Sequence, residues 1–407
     1  MTKSSDVVIV GGGIGGASLA YALAHEGLGV TVLEATVEYE DRVRGESMHV
    51  WGVKEARELG VEETLLAAGA HTAPVWRQYM EGIGEAGDIP MAMLVPDIPG
   101  TLNLRHPVAC RALIDAAADA GVTVVRGVRD VRVTGGRAPT ASFANGGGTE
   151  ELTTTLVVGA DGRASKVRKQ SGIVLERQEP LSYIAGLLVE GLDDVPDDFD
   201  VVAGEGDLFF LVFHQGGGRA RVYLCLGLSG QHRFSGPQGT ERFLEACAIS
   251  CYPWSDRVAA AAPAGPCATY PGDDTWTDTP YAEGIVLIGD AAGHNDPIIG
   301  QGLSIALRDT RIVRDLVLDG AREAAAFQSY GEERATRMER LRLIADVLAV
   351  GQAEDADNRS ARRAFLAERV ATMDQEVFPL LVGSFLGPET VPAELVDPGL
   401  LDRIRAA

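Results

Sequence analysis

Residues 6–34 constrain the fold more than any other stretch of this chain, because they combine two apolar runs, a glycine-rich turn and a helical segment. Residues 6–10 and 29–33 are short apolar runs that predict buried strands, and residues 17–25 are typical of a helix rich in small residues. The turn satisfies the pattern G-x-G-x-x-G with Gly11, Gly13 and Gly16. Such glycines permit a tight turn, close approach of the backbone to a pyrophosphate, and close packing of the helix on the strand.

The residues around this turn favour a dinucleotide as the ligand. The N-terminus of the helix directs free N–H groups and the positive end of the helix dipole at phosphates. Glu34 follows the second strand and can accept hydrogen bonds from a ribose diol. The sequence therefore predicts a dinucleotide site that includes Gly11, Gly13, Ile14, Gly15, Gly16 and Glu34.

Composition argues against several other classes of protein. The 407 residues carry a formal net charge of −22, whereas a surface that binds nucleic acid needs an excess of Lys and Arg. No apolar run reaches the roughly 18 residues that a membrane span needs. The five cysteines are scattered without a metal-ligand pattern, which indicates reduced structural cysteines. Since the first predicted strand leaves no room for a signal peptide, we expect a cytoplasmic protein.

Two later segments also suit phosphate or ribose contact. Arg42 and Arg44 follow Glu34 at alternate positions and could contact a pyrophosphate or an adenine. Residues 159–168 form a glycine-lined turn after a predicted strand and lead into a helix with basic residues.

The last third of the sequence returns to the same kind of pattern. Residues 284–290 predict a buried strand that ends in Asp290, and residues 300–302 open a long helix. The N-terminus of such a helix can stabilise developing negative charge. Residues 322–407 are mostly amphipathic helix with charges of both signs, which favours solvated packing helices over a membrane surface.

The middle of the chain predicts sheets. Residues 122–126 are typical of a third parallel strand, and a meander of antiparallel strands is predicted at residues 129–133, 140–143 and 152–158. Between residues 182 and 228 the apolar period is two, which predicts a separate antiparallel sheet. Its aromatic residues either line a pocket or belong to the core; they are Phe209, Phe213 and Tyr223. Residues 73–100 are rich in Gly, Pro and Met and predict an inserted excursion, a lid or pocket wall.

Taken together, three segments resemble the single-component, FAD-dependent aromatic hydroxylases typified by para-hydroxybenzoate hydroxylase. Residues 11–16 with Glu34 match the ADP-binding fingerprint of that family. Residues 161–168 match its D-G-x-x-S-x-x-R motif, which serves FAD and NAD(P)H, and residues 289–302 match its G-D motif, which holds the ribityl chain and faces the isoalloxazine. Order and spacing agree over about residues 6–345.

The resemblance implies an α/β fold in which a Rossmann-type FAD-binding domain is interrupted by an antiparallel β-sheet substrate domain and followed by C-terminal helices. We expect the FAD-binding domain at residues 1–72, 101–177 and 281–345, the substrate domain at 73–100 and 178–280, and the helices at 346–407. Further cofactor-binding residues are implied by position in the motifs or beside them: Arg42, Arg44, Arg105, Arg111, Asp161, Gly162, Arg168, Gly289, Asp290, Pro297, Gly300, Gln301 and Gly302.

The resemblance also implies an activity. NADPH or NADH would reduce FAD, and reduced flavin with O₂ would give a C4a-hydroperoxide that hydroxylates a small organic substrate, aromatic or polyketide-like. Partners would be that substrate and O₂, with no nucleic acid or membrane, and the protein would be a monomer or homodimer. A general base would help a phenol react, and His49, His214, His294 and Asp296 are titratable candidates without a spacing signal.

Other activities on the same fold stay open. Residues 41–46 are also similar to the Arg-x-x-Gly-Glu segment of squalene epoxidase and related flavin epoxidases, which would make the reaction an epoxidation. A reductase or dehydrogenase similar to the prenyl reductases would not use O₂ at all. The W-x-W-x-I-P signature of flavin halogenases is missing, since the four tryptophans are isolated.

Overall fold

The computed structural model describes residues 3–43, 45–397 and 399–407. Its strands are β1 (Lys3–Ser4), β2 (Val7–Val10), β3 (Val30–Glu34), β4 (Ser47–Met48), β5 (His71–Ala73), β6 (Val75–Met80), β7 (Gly84–Pro90), β8 (Thr101–Asn103), β9 (Thr123–Arg126), β10 (Arg129–Thr134), β11 (Thr140–Asn145), β12 (Gly148–Thr153), β13 (Leu156–Gly159), β14 (Glu176–Glu190), β15 (Phe199–Glu205), β16 (Leu208–His214), β17 (Arg219–Leu226), β18 (Ala262–Pro263), β19 (Ala268–Trp276), β20 (Tyr281–Ala282) and β21 (Ile285–Leu287). Its α-helices are α1 (Ile14–His25), α2 (Val50–Glu58), α3 (Glu62–Ala67), α4 (Met91–Leu94), α5 (His106–Asp119), α6 (Lys166–Gln170), α7 (Gly239–Ala246), α8 (Ser255–Ala259), α9 (Gly302–Leu318), α10 (Gln328–Leu348), α11 (Arg359–Ala371), α12 (Val377–Leu386) and α13 (Gly399–Arg405).

A mainly parallel sheet carries the glycine-rich turn. Its strand order is β20-β21-β13-β2-β3-β9, and only β20 runs antiparallel to its neighbour in this described sheet. All four residues of β2 are buried, as expected for a strand covered on both faces. Val7 and Ile9 pack with the helices α1, α5 and α9, whereas Val8 packs with Phe143 of a second, four-stranded sheet ordered β1-β12-β11-β10.

A large, mostly antiparallel sheet forms the other half of the molecule. Its order is β18-β14-β17-β16-β15-β6-β7, with β19 also paired to β14. Strand β16 is buried along its whole length, so its two faces belong to different cores. Phe209 and Phe213 face the core that includes the parallel sheet, whereas Phe210 faces the core beneath α7. The sheet therefore roofs the space beside the nucleotide-binding fold.

The α/β fold class predicted from the sequence is confirmed, but one local prediction needs correction and some strands were not predicted. Residues 152–158 are two strands, because the hydroxyls of Thr154 and Thr155 donate to the Asp6 carbonyl (2.9 and 2.7 Å) at the break between β12 and β13. Only β12 closes the meander, and β13 joins the parallel sheet. The excursion at 73–100 contains the hairpin β6–β7, and β6 pairs in parallel with the unpredicted strand β15.

The C-terminal helices α10–α13 pack beside the large sheet and α9. All five cysteines lie in the described part of the chain and are free. Among the described residues, no helix has both the length and the apolar character needed to cross a membrane. The division of the chain into domains at the stated boundaries stays a prediction.

Candidate functional site

A cavity of about 990 Å³ brings the separated motifs together. Most of the predicted cofactor residues line it, namely Gly11, Gly13, Ile14, Gly15, Gly16, Glu34, Arg42, Asp161, Gly162, Gly289, Asp290, Pro297, Gly300 and Gly302. Four others lie away from its described lining, namely Arg105, Arg111, Arg168 and Gln301. Arg44 lies outside the residues that the structure describes.

The glycine-rich turn is packed on one side and open on the other. Gly11 has φ +105°, and a Cβ there would lie 2.3 Å from the Ala160 carbonyl oxygen. A Cβ on Gly16 would lie 2.0 Å from the Gly11 carbonyl oxygen. No described atom lies within 4 Å of the Cβ position of Gly13, which borders the cavity. This open cradle at the N-terminus of α1 fits a pyrophosphate against the backbone.

The Glu34 carboxylate is held in place by backbone N–H groups. Gly12 N–H donates to Oε2 (2.5 Å) and Thr36 N–H donates to Oε1 (2.6 Å). The Tyr39 hydroxyl donates to the Gly12 carbonyl (2.6 Å), which braces the same turn. Each carboxylate oxygen keeps a second lone pair, so the group can still accept hydrogen bonds from a ribose.

The side chains of the D-G motif stabilise the protein around the cavity. Asp161 accepts hydrogen bonds from Ser165 Oγ (2.5 Å) and from the Lys166 N–H (2.6 Å), so it supports Ser165, the N-cap residue of α6. Buried Arg168 donates to the carbonyls of Ala291 (2.9 Å) and Arg163 (3.0 Å). These bonds connect the D-G turn to the G-D turn, and the predicted cofactor contact of Arg168 stays a prediction.

The G-D turn is supported from behind by a buried ionic cluster that the sequence analysis did not predict. Arg334 donates to Asp309 Oδ2 (3.0 Å) and to the carbonyls of Ala292 (3.0 Å) and Gly293 (2.9 Å). Arg337 donates to Asp309 Oδ1 (2.6 Å), and the Gly289 N–H donates to Oδ2 (2.8 Å). Burial alone would raise the Asp309 pKa, but the two guanidinium groups outweigh burial and hold that pKa below its usual value.

A sequence signal for this cluster does exist. Arg334 and Arg337 stand on the buried stripe of α10 that continues through Met338 and Leu341, at helical spacing. Charged residues within an apolar stripe are almost never fully buried unless they are paired, so they indicate a buried partner. The sequence does not identify that partner as Asp309.

Gln301 fixes the start of α9. It accepts a hydrogen bond from Trp51 Nε1 (2.7 Å) and donates to the carbonyls of Ile299 (3.0 Å) and Ser384 (2.9 Å). Gln301 therefore connects α9 to α2 and α12, while Gly300 and Gly302 face the cavity. Asp290 borders the cavity and pairs with Arg163 (3.2 Å).

The candidate general bases lie in different surroundings. His49 and His294 line the cavity, whereas His214 and Asp296 lie away from its described lining. His294 contacts Thr275 Oγ1 (2.8 Å) and Asp273 (3.2 Å) through its ring nitrogens. Asp296 Oδ1 accepts from the Ile298 N–H (2.9 Å), and burial raises its pKa, as do neighbouring carboxylates. Burial lowers the pKa of His49 and of His214 to about 4.

The far half of the cavity is lined mainly by apolar side chains. Phe209, Phe213 and Tyr223 line it, so the aromatic residues that the sequence left between core and lining are buried and border the cavity. Trp76 adds to this wall from the excursion. The C-terminal helices contribute a third side through residues that include Leu366, Leu381 and Phe385. The charge pattern of those helices had predicted only solvated packing helices.

The fold and the three turns on one cavity define a Rossmann-type dinucleotide-binding protein with an attached, sheet-roofed chamber. The chain belongs to the FAD binding domain family, whose sequence pattern matches residues 4–343. FAD, the cofactor predicted from the sequence, is thereby confirmed.

Individual relatives are more distant. The chain is 25% identical to squalene monooxygenase SE1 of Panax ginseng over 321 residues, which cover 77% of this chain and 58% of that protein. It is 26% identical to 6-hydroxynicotinate 3-monooxygenase of Bordetella bronchiseptica over 349 residues, which cover 83% of this chain and 90% of that one. The chain therefore spans less than two thirds of the squalene monooxygenase. In fold it is similar to p-nitrophenol 4-monooxygenase PnpA of Pseudomonas putida, with TM-score 0.79, 18% identity and coverage of 96% and 99% of the two chains.

Proposed function

We propose that this protein is an FAD-dependent monooxygenase that uses NAD(P)H and O₂ to hydroxylate a small organic substrate. The observation that carries this proposal is the continuity of the cavity from Gly13 to the aromatic wall at Phe209 and Phe213. FAD, when bound and reduced by NAD(P)H, would activate O₂ so that one oxygen atom enters the substrate and the other leaves as water. The names of the two curated relatives, each a monooxygenase, support the same chemistry.

The residues present fit the cofactor along the length of the cavity. The N-terminus of α1 and Glu34 would hold the pyrophosphate and the adenosine ribose, as the open cradle at Gly13 suggests. Asp290 would bind ribityl hydroxyls. Gly300 and Gly302 would present the N-terminus of α9 to the flavin ring, where a positive dipole stabilises the reduced, anionic form.

The apolar half of the cavity would take the substrate and exclude water from it. A wall of aromatic and aliphatic side chains on three sides favours a compact, apolar or aromatic molecule. We also place the protein in the cytoplasm, as a monomer or homodimer; size-exclusion chromatography with light scattering tests the assembly.

The decisive experiment is oxygen-isotope labelling. The FAD-loaded protein would be incubated with NADPH or NADH, ¹⁸O₂ and a panel of small aromatic compounds, and the products analysed by mass spectrometry. We expect one ¹⁸O atom in the product, with label from H₂¹⁸O absent. Consumption of NAD(P)H with reduction of a substrate double bond and no ¹⁸O uptake would instead establish a reductase.

Epoxidation is the second candidate, because the first curated relatives are squalene monooxygenases and residues 41–46 are similar to the epoxidase segment. An alkene bearing an aromatic ring, such as a styrene, separates the two reactions within one assay. Hydroxylation places ¹⁸O on a ring carbon, whereas epoxidation places it across the double bond.

A further inference from the structure

His49 is a rigidly placed side chain at the boundary between the two halves of the cavity. It directly precedes α2, and its carbonyl accepts a hydrogen bond from the Val53 N–H (3.0 Å). Its ring contacts those of Trp76 (5.5 Å between centroids) and Phe385 (5.2 Å), and these two rings also contact each other (5.1 Å). The residue is 3% exposed and borders the cavity. Burial and these two tilted ring contacts restrict where the imidazole can lie.

The imidazole has no hydrogen-bond partner on either nitrogen among the described residues. Nε2 lies 3.1 Å from the position that a Cβ on Gly300 would take, so it points at the turn before α9. Leaving a buried polar group unpaired is unfavourable, by roughly 1–3 kcal/mol per group. An unpaired histidine aimed into a ligand cavity therefore indicates a partner on the ligand.

Two other residues that border the same cavity, Ser47 and Asn295, also have an unpaired polar atom among the described residues. Ser47 lies two residues before His49 on extended backbone, so both side chains point to the same side. Asn295 already donates to Asp274 (2.6 Å) on the side of the G-D turn. Of the three, His49 is the one whose side chain packs against two aromatic rings of the apolar wall.

The burial that lowers the pKa of His49 to about 4 keeps its ring neutral near pH 7. A neutral imidazole offers one N–H and one lone pair. The lone pair can accept a hydrogen bond from an O–H or N–H group, and the apolar surroundings strengthen that bond.

We propose that His49 positions the substrate by accepting a hydrogen bond from an O–H or N–H group on an otherwise apolar ring, next to the start of α9. This inference rests on the proposed function, since it places the substrate beside the flavin ring. His49 would thereby set specificity: it discriminates between a ring that carries a donor and the same ring with the donor methylated.

Binding of matched probe pairs to the FAD-loaded protein tests the proposal. The pairs are 2-naphthol with 2-methoxynaphthalene and 4-nitrophenol with 4-nitroanisole, titrated to their solubility limits and followed by the change in flavin absorbance. Wild type should bind the hydroxyl member of at least one pair about tenfold more tightly, as one buried hydrogen bond implies. His49→Phe, which keeps an aromatic ring at this position, should reduce the ratio of the two affinities to about two or less.

Two variants serve as controls. His49→Gln keeps an acceptor and should restore part of the discrimination. His214→Phe removes another buried histidine, one with an unpaired Nε2 among the described residues but away from the cavity lining, and should leave the ratio unchanged. FAD affinity should be the same in all four proteins.

A ¹⁵N-histidine spectrum of the wild-type holoprotein provides a readout that does not depend on variants folding. The unprotonated nitrogen of His49 should shift upfield with 2-naphthol and stay in place with 2-methoxynaphthalene. The proposal is overturned if wild type binds the two members of each pair equally well, or binds neither pair measurably. It is likewise overturned if His49→Phe keeps the wild-type ratio of affinities. It is also overturned if weaker FAD binding is the only effect of His49→Phe. Oxygen labelling tests the monooxygenase independently of all these outcomes.

Discussion

The residues Gly11 and Gly13 lie two positions apart in the same turn, and they serve different purposes. The fold itself excludes a side chain at Gly11, because this residue has φ +105° and a Cβ there would lie 2.3 Å from the Ala160 carbonyl oxygen. Gly13 has open space at its Cβ position among the described atoms. Only a bound phosphate would exclude a side chain there.

We therefore expect Gly11→Ala to lower the free energy of unfolding of the FAD-free protein by more than about 2 kcal/mol, from backbone strain and steric overlap. Gly13→Ala should change that free energy by less than about 1 kcal/mol and weaken FAD binding at least tenfold. Urea unfolding and FAD titration measure the two effects. Equal loss of stability in both variants would contradict this distinction.

Asp200 predicts a pH dependence of stability. It is fully buried and accepts hydrogen bonds from Thr101 Oγ1 (2.6 Å) and Asn103 Nδ2 (2.7 Å). Burial raises its pKa to about 7, and the two hydrogen bonds offset only part of that rise. Between about pH 4 and pH 7 the folded protein holds a proton that the unfolded chain releases, so this group's contribution to stability falls as pH rises.

Asp200→Asn should remove that contribution. The difference in unfolding free energy between wild type and the variant should then change by up to about 1.4 kcal/mol per pH unit between pH 4 and pH 7, to the disadvantage of wild type at higher pH. Neutral buried His49 and His214 act in the opposite direction from about pH 4 to 6.5, and they cancel in the comparison because both proteins contain them. A constant difference across that range would show that Asp200 does not titrate there.

At the residue scale, the sequence predicted glycines and an acidic residue whose spacing is set by a dinucleotide. Gly11, Gly16 and Glu34 are recognisable because a pyrophosphate and a ribose impose the same distances on any such turn. The sequence marked His49 only as a titratable candidate and could not identify the partner of Arg334, because both side chains have their contacts far away in sequence. The ring contact of His49 with Phe385 joins residues that no local pattern connects.

Among the elements, α11 and α12 have the least expected position, because they line the cavity. Leu366 and Leu381 border it, one from each helix. An amphipathic helix presents the same apolar stripe whether it covers a packed core or an empty chamber, so the sequence could not distinguish the two.

Filling the cavity from α11 should affect substrate and leave the cofactor in place. Ala367 borders the cavity, whereas Ala364 is exposed on the same helix. We expect Ala367→Trp to weaken binding of 2-naphthol at least fivefold with FAD affinity unchanged, because the indole would occupy part of the apolar half. The matched Ala364→Trp should leave both affinities unchanged. Loss of FAD in Ala367→Trp would instead mean that α11 lies along the cofactor.

The elements that the sequence misjudged share a physical cause. The hairpin β6–β7 lies at a sheet edge, where one strand has polar, exposed residues such as Glu85 and lacks the alternation of a half-buried strand. The run 152–158 looks continuous because Leu152 and residues 156–158 are apolar and the threonines between them favour strands. The hydrogen bonds from the hydroxyls of Thr154 and Thr155 to the Asp6 carbonyl mark the break.

At the scale of the whole molecule, a buried ion pair connects the segment after β3 to the large sheet. Arg221 of β17 is fully buried, pairs with Glu46 through both Nε and Nη2, and donates to Asp41 (2.6 Å). In the same segment Val43 has φ +55°, and a Cβ on Gly186 of β14 would lie 2.5 Å from its side chain. The segment that carries cavity-lining Arg42 is thus fixed against the roof.

Removing both partners of this pair should lower the free energy of unfolding by less than the sum of the two single removals. Arg221→Met leaves the Glu46 carboxylate buried and unpaired, so we expect a loss of about 3–5 kcal/mol of unfolding free energy. In the double variant with Glu46→Leu the loss should be at least about 1 kcal/mol smaller than the sum of the two single losses. A urea double-mutant cycle measures the coupling, and additive losses would indicate that the pair contributes no coupling energy.

The strand order β20-β21-β13-β2-β3-β9 also determines when the site can form during synthesis. β2 and β3 leave the ribosome early, but their sheet lacks β13 until residue 159 and β21 until residue 287. At roughly 5–20 residues per second, the nascent chain spends many seconds with its first strands lacking neighbours. FAD can therefore stabilise this fold only late in translation, and pairings between such distant segments make its folding slow.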